Sequence, residues 1–431
     1  MYRRTFIAHA RWPGSVSVTL AIALGALAAI ASAQTVARAE ALTLRQAFEA
    51  AWSRQPETAA LSARRDAAHA QQQAAQSWTP EPVALELATR TDRLNRNLGT
   101  REWVAGVAIP LWLPGERARS QALAAAEGRA LESRSTAAQL RVAATVREAW
   151  WNWHRARADA DAALGQFDNA QHIAADVRKR LKAGDLARAD QHQADGAVAA
   201  ADAALAQAQA VLIVSRQQLR TLTASPSLDL GLYLEGGLAD IGSEPDPGTA
   251  PAELDTHAEL LALQDRALVA EGAAALAATQ RRANPELTIA TTRDRGRSGE
   301  AWQQSFTVGV RIPFGGGPRQ DARSAAARAE SAEVQAQLNL ERARLAGERD
   351  SAKARTDAAR LQFAAAERRA QLARESRGFF DKSFRLGQTD LPTRLRVEAE
   401  AADADRQSAR ARIELAAAIS AWRQALGLLP L

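Results

Sequence analysis

Apolar and polar residues alternate in four short segments, which occur as one pair in each half of the chain. The apolar positions are Val83, Leu85 and Leu87, then Trp103, Ala105, Val107 and Ile109, then Leu287 and Ile289, and finally Phe306, Val308, Val310 and Ile312. A period of two places such residues on one face of a β-strand. The pattern therefore predicts two strand pairs, each with one apolar face and one polar or small face.

Long stretches rich in alanine, glutamine, arginine and glutamate surround these strands and predict helices. We place the helices at 43–78, 116–181 and 188–222 in the first half, and at 253–282, 318–384 and 391–427 in the second. The middle helix of each half has no interior proline and would extend roughly 100 Å at 1.5 Å per residue. A compact domain does not need helices of that length.

The helix at 188–222 carries apolar and small residues at alternating spacings of four and three. They are Ala194, Val198, Ala201, Leu205, Ala208, Leu212, Ser215 and Leu219. Such spacing is the seam of a coiled coil, and the small side chains require the helices to approach closely. Gln191, Asp195, Asp202 and Gln209 lie on the other face, which is available to water or to a polar lumen.

The same order of features occurs twice, at a period of roughly two hundred residues. Residues 107–110 read Val-Ala-Ile-Pro and residues 310–313 read Val-Arg-Ile-Pro, and each segment precedes a Gly/Pro turn and a long helix. Gly184 and Gly387 interrupt the two long helical stretches at matching distances. The chain is therefore interpreted as a duplication that is mainly α with a small β part.

The N-terminal segment has the pattern of a secretory signal peptide. Three arginines and no acid precede an uncharged apolar run at 16–30, and residues 31–33 read Ala-Ser-Ala. This pattern predicts export and cleavage after Ala33. The expected organisation is a signal peptide at 1–33, a first repeat at 34–224, a Gly/Pro-rich connector at 225–251 and a second repeat at 252–431.

Composition removes several classes of function. The chain contains no cysteine, so it has no disulfide, no thiolate metal site and no cysteine for a lipid anchor after the signal. The formal charge of +6 falls to about +3 without the three arginines of the signal, so nucleic-acid binding loses most of its support. Binding of another acidic polymer ranks lowest, because arginine and glutamate are intermixed along 318–384 as on a solvated helix.

Motifs for catalysis or for cofactor and metal binding are also missing from the sequence. The histidines are not paired at i and i+4, and the glycines at 315–317 lack the Lys-Ser/Thr of a phosphate-binding loop. Trp150, Trp151, Trp153 and His154 form the densest aromatic cluster, which we interpret as helix packing. We therefore expect no catalytic residue, no cofactor and no metal site.

The strand pattern fits either a soluble sheet with one buried face or an outer-membrane barrel with one face toward lipid. Export, strand lengths near those of membrane-spanning strands, and aromatic residues near the strand ends favour the barrel. Those aromatic residues are Trp103, Trp112, Trp302 and Phe314. Four strands cannot close a barrel, so several chains have to contribute.

The duplicated order of helices and strands, the Ile-Pro strand ends and the tip glycines occur at matching positions in both halves. In these features the chain resembles the TolC family of outer-membrane efflux channels. The resemblance implies a homotrimer in outer-membrane lipid, whose twelve strands form one barrel, four from each chain, continued by an α-helical tunnel in the periplasm. It also implies that the helical tips dock onto a periplasmic adaptor protein coupled to an inner-membrane pump.

The resemblance makes the two helical tips, 181–190 and 384–392, the candidate adaptor contact and gate. The residues assigned to this role are Gly184, Asp185, Asp190, Gly387, Asp390, Thr393 and Arg396. Family channels often carry acidic rings six and nine residues past the tip glycine. Here those positions are Asp190 and Gln193 in the first half and Thr393 and Arg396 in the second, which departs from a double acidic gate.

The leading hypothesis is a passive conduit for small solutes in a tripartite efflux pump, with a weak lean toward metal or cation efflux, and not an enzyme. The alternative is a periplasmic coiled-coil adaptor or scaffold. An adaptor would have a compact β domain between two hairpin arms, and the duplication disfavours it.

Overall fold

The computed structural model describes residues 43–94, 97–224, 243–248, 254–315 and 317–431. The signal peptide expected at 1–33 and most of the connector expected at 225–251 lie outside these ranges. All described residues belong to one compact unit.

Within the described ranges the unit has seven helices and four strands in a repeated order. The first half contains α1 (Leu44–Ser53), α2 (Pro56–Ala75), β1 (Ala84–Thr91), β2 (Arg101–Pro110), α3 (Glu116–Ala183) and α4 (Arg188–Thr223). The second half contains a 3₁₀ turn (Leu254–Thr256), α5 (Ala258–Thr279), β3 (Glu286–Arg295), β4 (Gln303–Arg311), α6 (Pro318–Arg385) and α7 (Leu391–Ala425). The fold is mainly α with a small β part, as predicted.

The prediction of a single helix at 43–78 is wrong in one respect, because two helices occupy that stretch. The first helix ends at Ser53, and the second begins at Pro56 with Gln55 as its N-cap. Proline has no N–H to donate to a preceding carbonyl, which makes it suited to a first helical position and unsuited to a helix interior.

The long helices α3 and α6 have 68 residues each. At 1.5 Å per residue each extends about 100 Å. Each turns back through a glycine with positive φ, Gly184 at 89° and Gly387 at 72°. The returning helices α4 and α7 pack along α3 and α6, respectively, so each half ends in a helical hairpin with its tip far from the strands.

The heptad seam of α4 is confirmed at most of its positions. Ala194, Ala201, Leu205, Ser215 and Leu219 are buried, whereas Asp195, Asp202 and Gln209 on the other face are exposed. By length and composition alone, α4 is also the one helix in the described part of the chain that could span a membrane. That is weak evidence, and the buried seam together with the exposed acids assigns α4 to the coiled coil.

The four strands form one antiparallel sheet in the order β1-β2-β3-β4. The central pair, β2 and β3, joins the two halves, with Val107 opposite Ile289 and Ile109 opposite Leu287. Because directly opposed residues share a face, the apolar positions of all four strands lie on the same side. That side is not covered within the chain: Leu85 is 70% exposed and Phe306 is 77% exposed.

One segment of the connector is tied to the helices by a buried glutamate. Glu244 Oε1 accepts a hydrogen bond from Arg147 Nη2 of α3 at 2.7 Å and one from Arg423 Nε of α7 at 3.2 Å. Ser420 of α7 donates to the same carboxylate. The three charged side chains are at most 7% exposed, so this cluster fixes the segment 243–248 against helices of both halves.

Candidate functional site

The two tips close with the same backbone hydrogen bonds. At the first tip, the N–H of Gly184 donates to the Leu181 carbonyl at 3.1 Å, and that of Asp185 donates to the Arg180 carbonyl at 2.9 Å. The equivalent bonds at the second tip run from Gly387 to Phe384 at 3.1 Å and from Gln388 to Ser383 at 3.0 Å. A left-handed glycine permits this closure, because no Cβ clashes in that conformation.

The predicted acids cap the returning helices in opposite ways. At the first tip, Asp190 Oδ2 accepts from the N–H of Ala187 at 2.9 Å. At the second, Asp390 is itself the N-cap, and its Oδ1 accepts from the N–H of Thr393 at 3.2 Å. Hydrogen bonds from the Thr393 side chain and backbone lower the pKa of Asp390. Both carboxylates therefore begin a helix by binding otherwise unpaired backbone donors.

The two tips pack on each other through a shared apolar cluster. Its buried members are Ile173, Ala174, Val177, Ala194, Phe384 and Leu391, with Leu186, Val198 and Leu395 partly buried around them. These residues come from both hairpins, so separating the tips would expose this apolar surface to water.

Two arginines flank the Phe384 ring at the edge of that cluster. The guanidinium carbons of Arg180 and Arg394 each lie 4.7 Å from the ring centroid. Arg394 also lies 2.9 Å from Asp381 and 3.5 Å from Asp176. We call these five residues the tip clamp. It crosses from α3 of the first hairpin to α6 and α7 of the second, and it combines cation–π contacts with partly buried ion pairs.

The structure separates the predicted tip residues from the tip clamp. Gly184, Gly387, Asp190 and Asp390 shape the two turns, and the remaining predicted residues, Asp185, Thr393 and Arg396, also lie outside the clamp. Arg396 pairs within its own helix with Glu400 at 2.6 Å.

Sequence reasoning placed Phe384 inside the tip segment 384–392 without naming it and missed the other four clamp residues, because the pairing of Asp176 and Arg180 with the second hairpin is not visible in the local sequence. The one sequence signal is Phe384, a large aromatic residue three positions before the tip glycine.

The aromatic cluster on α3 is buried helix packing, as predicted. Trp150 and Trp153 meet edge to face with their ring centroids 5.6 Å apart, and the His154 ring lies 4.9 Å from Trp150. Burial, with a smaller contribution from the charge of Arg157, lowers the pKa of His154 to about 4. In the part of the chain that the structure describes, no cluster of three or more metal-ligating side chains is found.

The lowered pKa of His154 gives an expected pH dependence. The folded chain favours the neutral imidazole, so its stabilisation is complete above pH 6.5 and is lost as the pH falls from 6.5 to about 4. A change from 6.5 to about 4 corresponds to about 3 kcal/mol. We expect the free energy of unfolding, measured with urea at pH 7.5 and at pH 4, to fall between these two pH values in both proteins. The fall should be larger by about that amount in wild type than in His154→Gln. Parallel losses in the two proteins would contradict this account.

Comparisons with known proteins agree with this architecture. Residues 47–225 match the sequence profile of the outer membrane efflux protein family. No curated protein sequence matches the chain significantly.

Solved structures match the chain over most of its length. VceC, an outer membrane protein of Vibrio cholerae, is 18% identical, with a TM-score of 0.69 over 89% of this chain and 96% of VceC. CmeC, an outer membrane channel of Campylobacter jejuni, is 15% identical, with a TM-score of 0.69 over 89% of this chain and 85% of CmeC.

MtrE of Neisseria gonorrhoeae, described as an outer membrane channel in its open state, is 13% identical, with a TM-score of 0.63 over 89% of each chain. These likenesses establish the fold, and the sequence profile of the outer membrane efflux protein family matches the first half of the chain at 47–225. Residues 47–225 of this chain are therefore similar to the outer membrane efflux protein family, and the described part of the chain shares the fold of these solved structures.

Proposed function

We propose that this chain is the passive outer-membrane conduit of a tripartite efflux pump and works as a homotrimer. The observation that carries the proposal is the open four-stranded sheet with an uncovered apolar face, placed at the far end of helices about 100 Å long. In water such a face and two free edges promote aggregation. In a bilayer the same face is matched to lipid.

Closure of the barrel supports three copies. The outer strands β1 and β4 each have a neighbour on one side only, and twelve strands from three chains would pair every edge. Apolar residues on the helices also lack cover within one chain: Val211, Ile213 and Val214 of α4 and Leu340 and Leu361 of α6 are each more than half exposed. Contact with neighbouring copies would bury them.

The tips are the proposed contact with a periplasmic adaptor, which links the channel to an inner-membrane pump. They lie at the opposite end of the helices from the sheet, where a conduit that crosses the periplasm meets its partner. The tip clamp holds the hairpins of one chain together and is our candidate for the latch that keeps the tunnel narrow. Asp190 and Asp390, repeated three times around the axis, are the proposed source of charge at the constriction.

The finer proposal is a preference for cations, including metal ions. Its support is charge on the polar face of the sheet, where Glu102 lies directly opposite Asp294 near the hairpin end. In a trimer this gives six carboxylates at the mouth of the lumen against three Arg90 side chains, each 3.9 Å from a Glu102. The reversal potential of the purified channel in a salt gradient measures this preference, and Asp190→Ala with Asp390→Ala tests the contribution of the tips to it.

The proposed function is tested with two neighbouring residues of β1. Leu87 lies on the apolar face and Ala88 on the polar face. Arginine on a lipid-facing strand near the bilayer centre costs about 2–4 kcal/mol, whereas lumen positions tolerate it. Leu87→Arg should therefore strongly reduce the heat-dissociable trimer in the outer-membrane fraction, and Ala88→Arg should not. Equal yields of the two variants as a soluble periplasmic monomer would overturn the proposal.

A further inference from the structure

Three arginines lie on the apolar face of the sheet, at its hairpin end. On β2 the alternation that places Val107, Ala105 and Trp103 on this face continues to Arg101. On β3 the alternation that includes Ile289 and Thr291 continues to Arg293 and Arg295. The positive charges therefore follow directly after the apolar positions, on the same side of the sheet.

Two of these arginines lie directly opposite each other in the sheet. Arg101 lies directly opposite Arg295, and Trp103 lies directly opposite Arg293. Like charges at directly opposed positions destabilise a strand pair. An arrangement of this kind needs negative charge from another source.

The chain does not supply that negative charge from the described residues of the sheet. The two ion pairs of the described sheet are Arg90–Glu102 at 3.9 Å and Arg311–Glu286 at 3.1 Å, and both lie on the polar face. The acids nearest the three arginines in the ladder, Glu102 and Asp294, oppose each other on that same polar face. The three arginines of the apolar face and the acids of the polar face therefore lie on opposite sides of the sheet.

An aromatic ring holds two of the arginines in place. The guanidinium carbons of Arg293 and Arg295 lie 5.3 and 5.0 Å from the Trp302 ring centroid. The Nε of Arg295 is buried and has no hydrogen-bond partner among the described residues. A buried donor without a partner, beside two guanidinium groups stacked on one ring, indicates an acceptor that comes from outside the chain.

The position of the arginines along the strand identifies the environment of that acceptor. From Ile109 to Arg101 the strand rises about 27 Å, which is about 20 Å along the membrane normal after the usual tilt. That height is close to the apolar band of an outer-membrane barrel. With Trp103 and Trp302 in the interfacial region, the three arginines reach the level of the lipid headgroups.

We propose that Arg101, Arg293 and Arg295 bind the phosphate of a phosphorylated lipid headgroup in the outer leaflet. Guanidinium groups match phosphate oxygens with paired, charge-assisted hydrogen bonds. The acyl chains of a lipid would also cover the apolar face next to the arginines. A free phosphate ion has no acyl chains and would leave that face uncovered. This inference rests on the proposed function, because the face must lie in a bilayer with the hairpin ends outward.

The test uses the purified full-length trimer in detergent micelles that contain lipid A, lipid A from which phosphatase has removed the phosphates, or inorganic phosphate. The readout is the temperature at which the trimer dissociates on a gel, as a function of added probe. We expect lipid A to raise this temperature at a concentration at least ten-fold lower than either other probe, because both the phosphates and the acyl chains contribute.

Variants then locate the site. Arg101→Gln, Arg293→Gln and Arg295→Gln in combination should shift the lipid A response at least ten-fold toward higher concentration, whereas Arg90→Gln on the polar face should leave it unchanged. Equal responses of wild type to lipid A with and without phosphates would overturn the inference, and this comparison does not depend on any variant folding. Inorganic phosphate acting at the same concentration as lipid A would overturn the lipid source.

Failure of the proposed function has a different signature. It would appear as the absence of any wild-type trimer in the outer membrane, before a probe is added. A stable trimer whose dissociation temperature does not depend on the lipid phosphate would contradict this inference and leave the proposed function intact.

Discussion

Glu244→Ala is expected to lower the free energy of unfolding by about 3–5 kcal/mol, because it leaves two buried arginines without their shared carboxylate. In wild type, Arg147 binds both carboxylate oxygens, with Nη2 at 2.7 Å from Oε1 and Nε at 3.0 Å from Oε2. The Arg423 and Ser420 side chains complete the shell around Glu244. The cluster already carries one excess positive charge, and the variant would double it in a region shielded from water.

The control for Glu244 lies two residues away in the same segment. Asp246 pairs with Arg360, and both side chains are at least 40% exposed. An exposed pair contributes about 1 kcal/mol or less, so Asp246→Ala should have a small effect. Urea titration of the helical circular dichroism of the detergent-solubilised protein compares the two variants.

A third variant separates lost charge pairing from lost packing. The combined change Arg147→Met, Glu244→Leu and Arg423→Met removes every charge of the cluster while filling similar volume. Replacement of a buried ionic cluster by apolar residues is often neutral or stabilising, so this protein should recover most of the stability lost by Glu244→Ala. If it is as unstable as Glu244→Ala, the cluster acts through shape and hydrogen bonding and our electrostatic account fails.

The strands and long helices were predictable because their patterns are local. A period of two in residues such as Phe306, Val308 and Val310 directly indicates which face is apolar, and the pairing in the structure agrees with it. The tip glycines were also predictable, because few other residues adopt positive φ. The break at Pro56 was missed because alanine-rich helical composition continues on both sides of it.

The ion clusters were not predictable, because their partners are far apart in the chain. Glu244 lies 97 residues from Arg147 and 179 from Arg423, and Arg180 lies 204 residues from Phe384. Nothing in the local sequence distinguishes these arginines from the many exposed ones on the same helices. Only packing decides which charges are buried, and packing depends on the register between hairpins.

The largest expected effect on transport comes from Arg394→Ala at the tip clamp. Arg394 is 14% exposed and links Asp381 of its own hairpin with Asp176 of the other. Each acid still has an ion-pair partner in this variant, because Asp381 lies 2.6 Å from Arg385 and Asp176 lies 3.5 Å from Arg180. The variant loses the link to Asp176 across the hairpins, together with the contacts to Asp381 and Phe384 within its own hairpin.

The contact across the hairpins is the pair with Asp176, which is 41% exposed, and a pair of this kind contributes about 1 kcal/mol or less. Removing it in a latch with two positions would shift the balance toward the open form by up to about five-fold in each chain. In planar bilayers we expect Arg394→Ala to raise the open probability or the conductance of the trimer several-fold, with little change in its heat dissociation, because the barrel and the helical seams are untouched.

Arg396→Ala is the matched control for the latch. Arg396 lies on the same helix, is exposed, and pairs only with Glu400 of that helix in the described structure, so its loss should leave conductance as in wild type. If both variants raise conductance equally, the gain reflects altered charge at the tip and the clamp is no latch. If neither does, the apolar cluster around Phe384 holds the hairpins together without Arg394, and opening requires a partner that separates that surface.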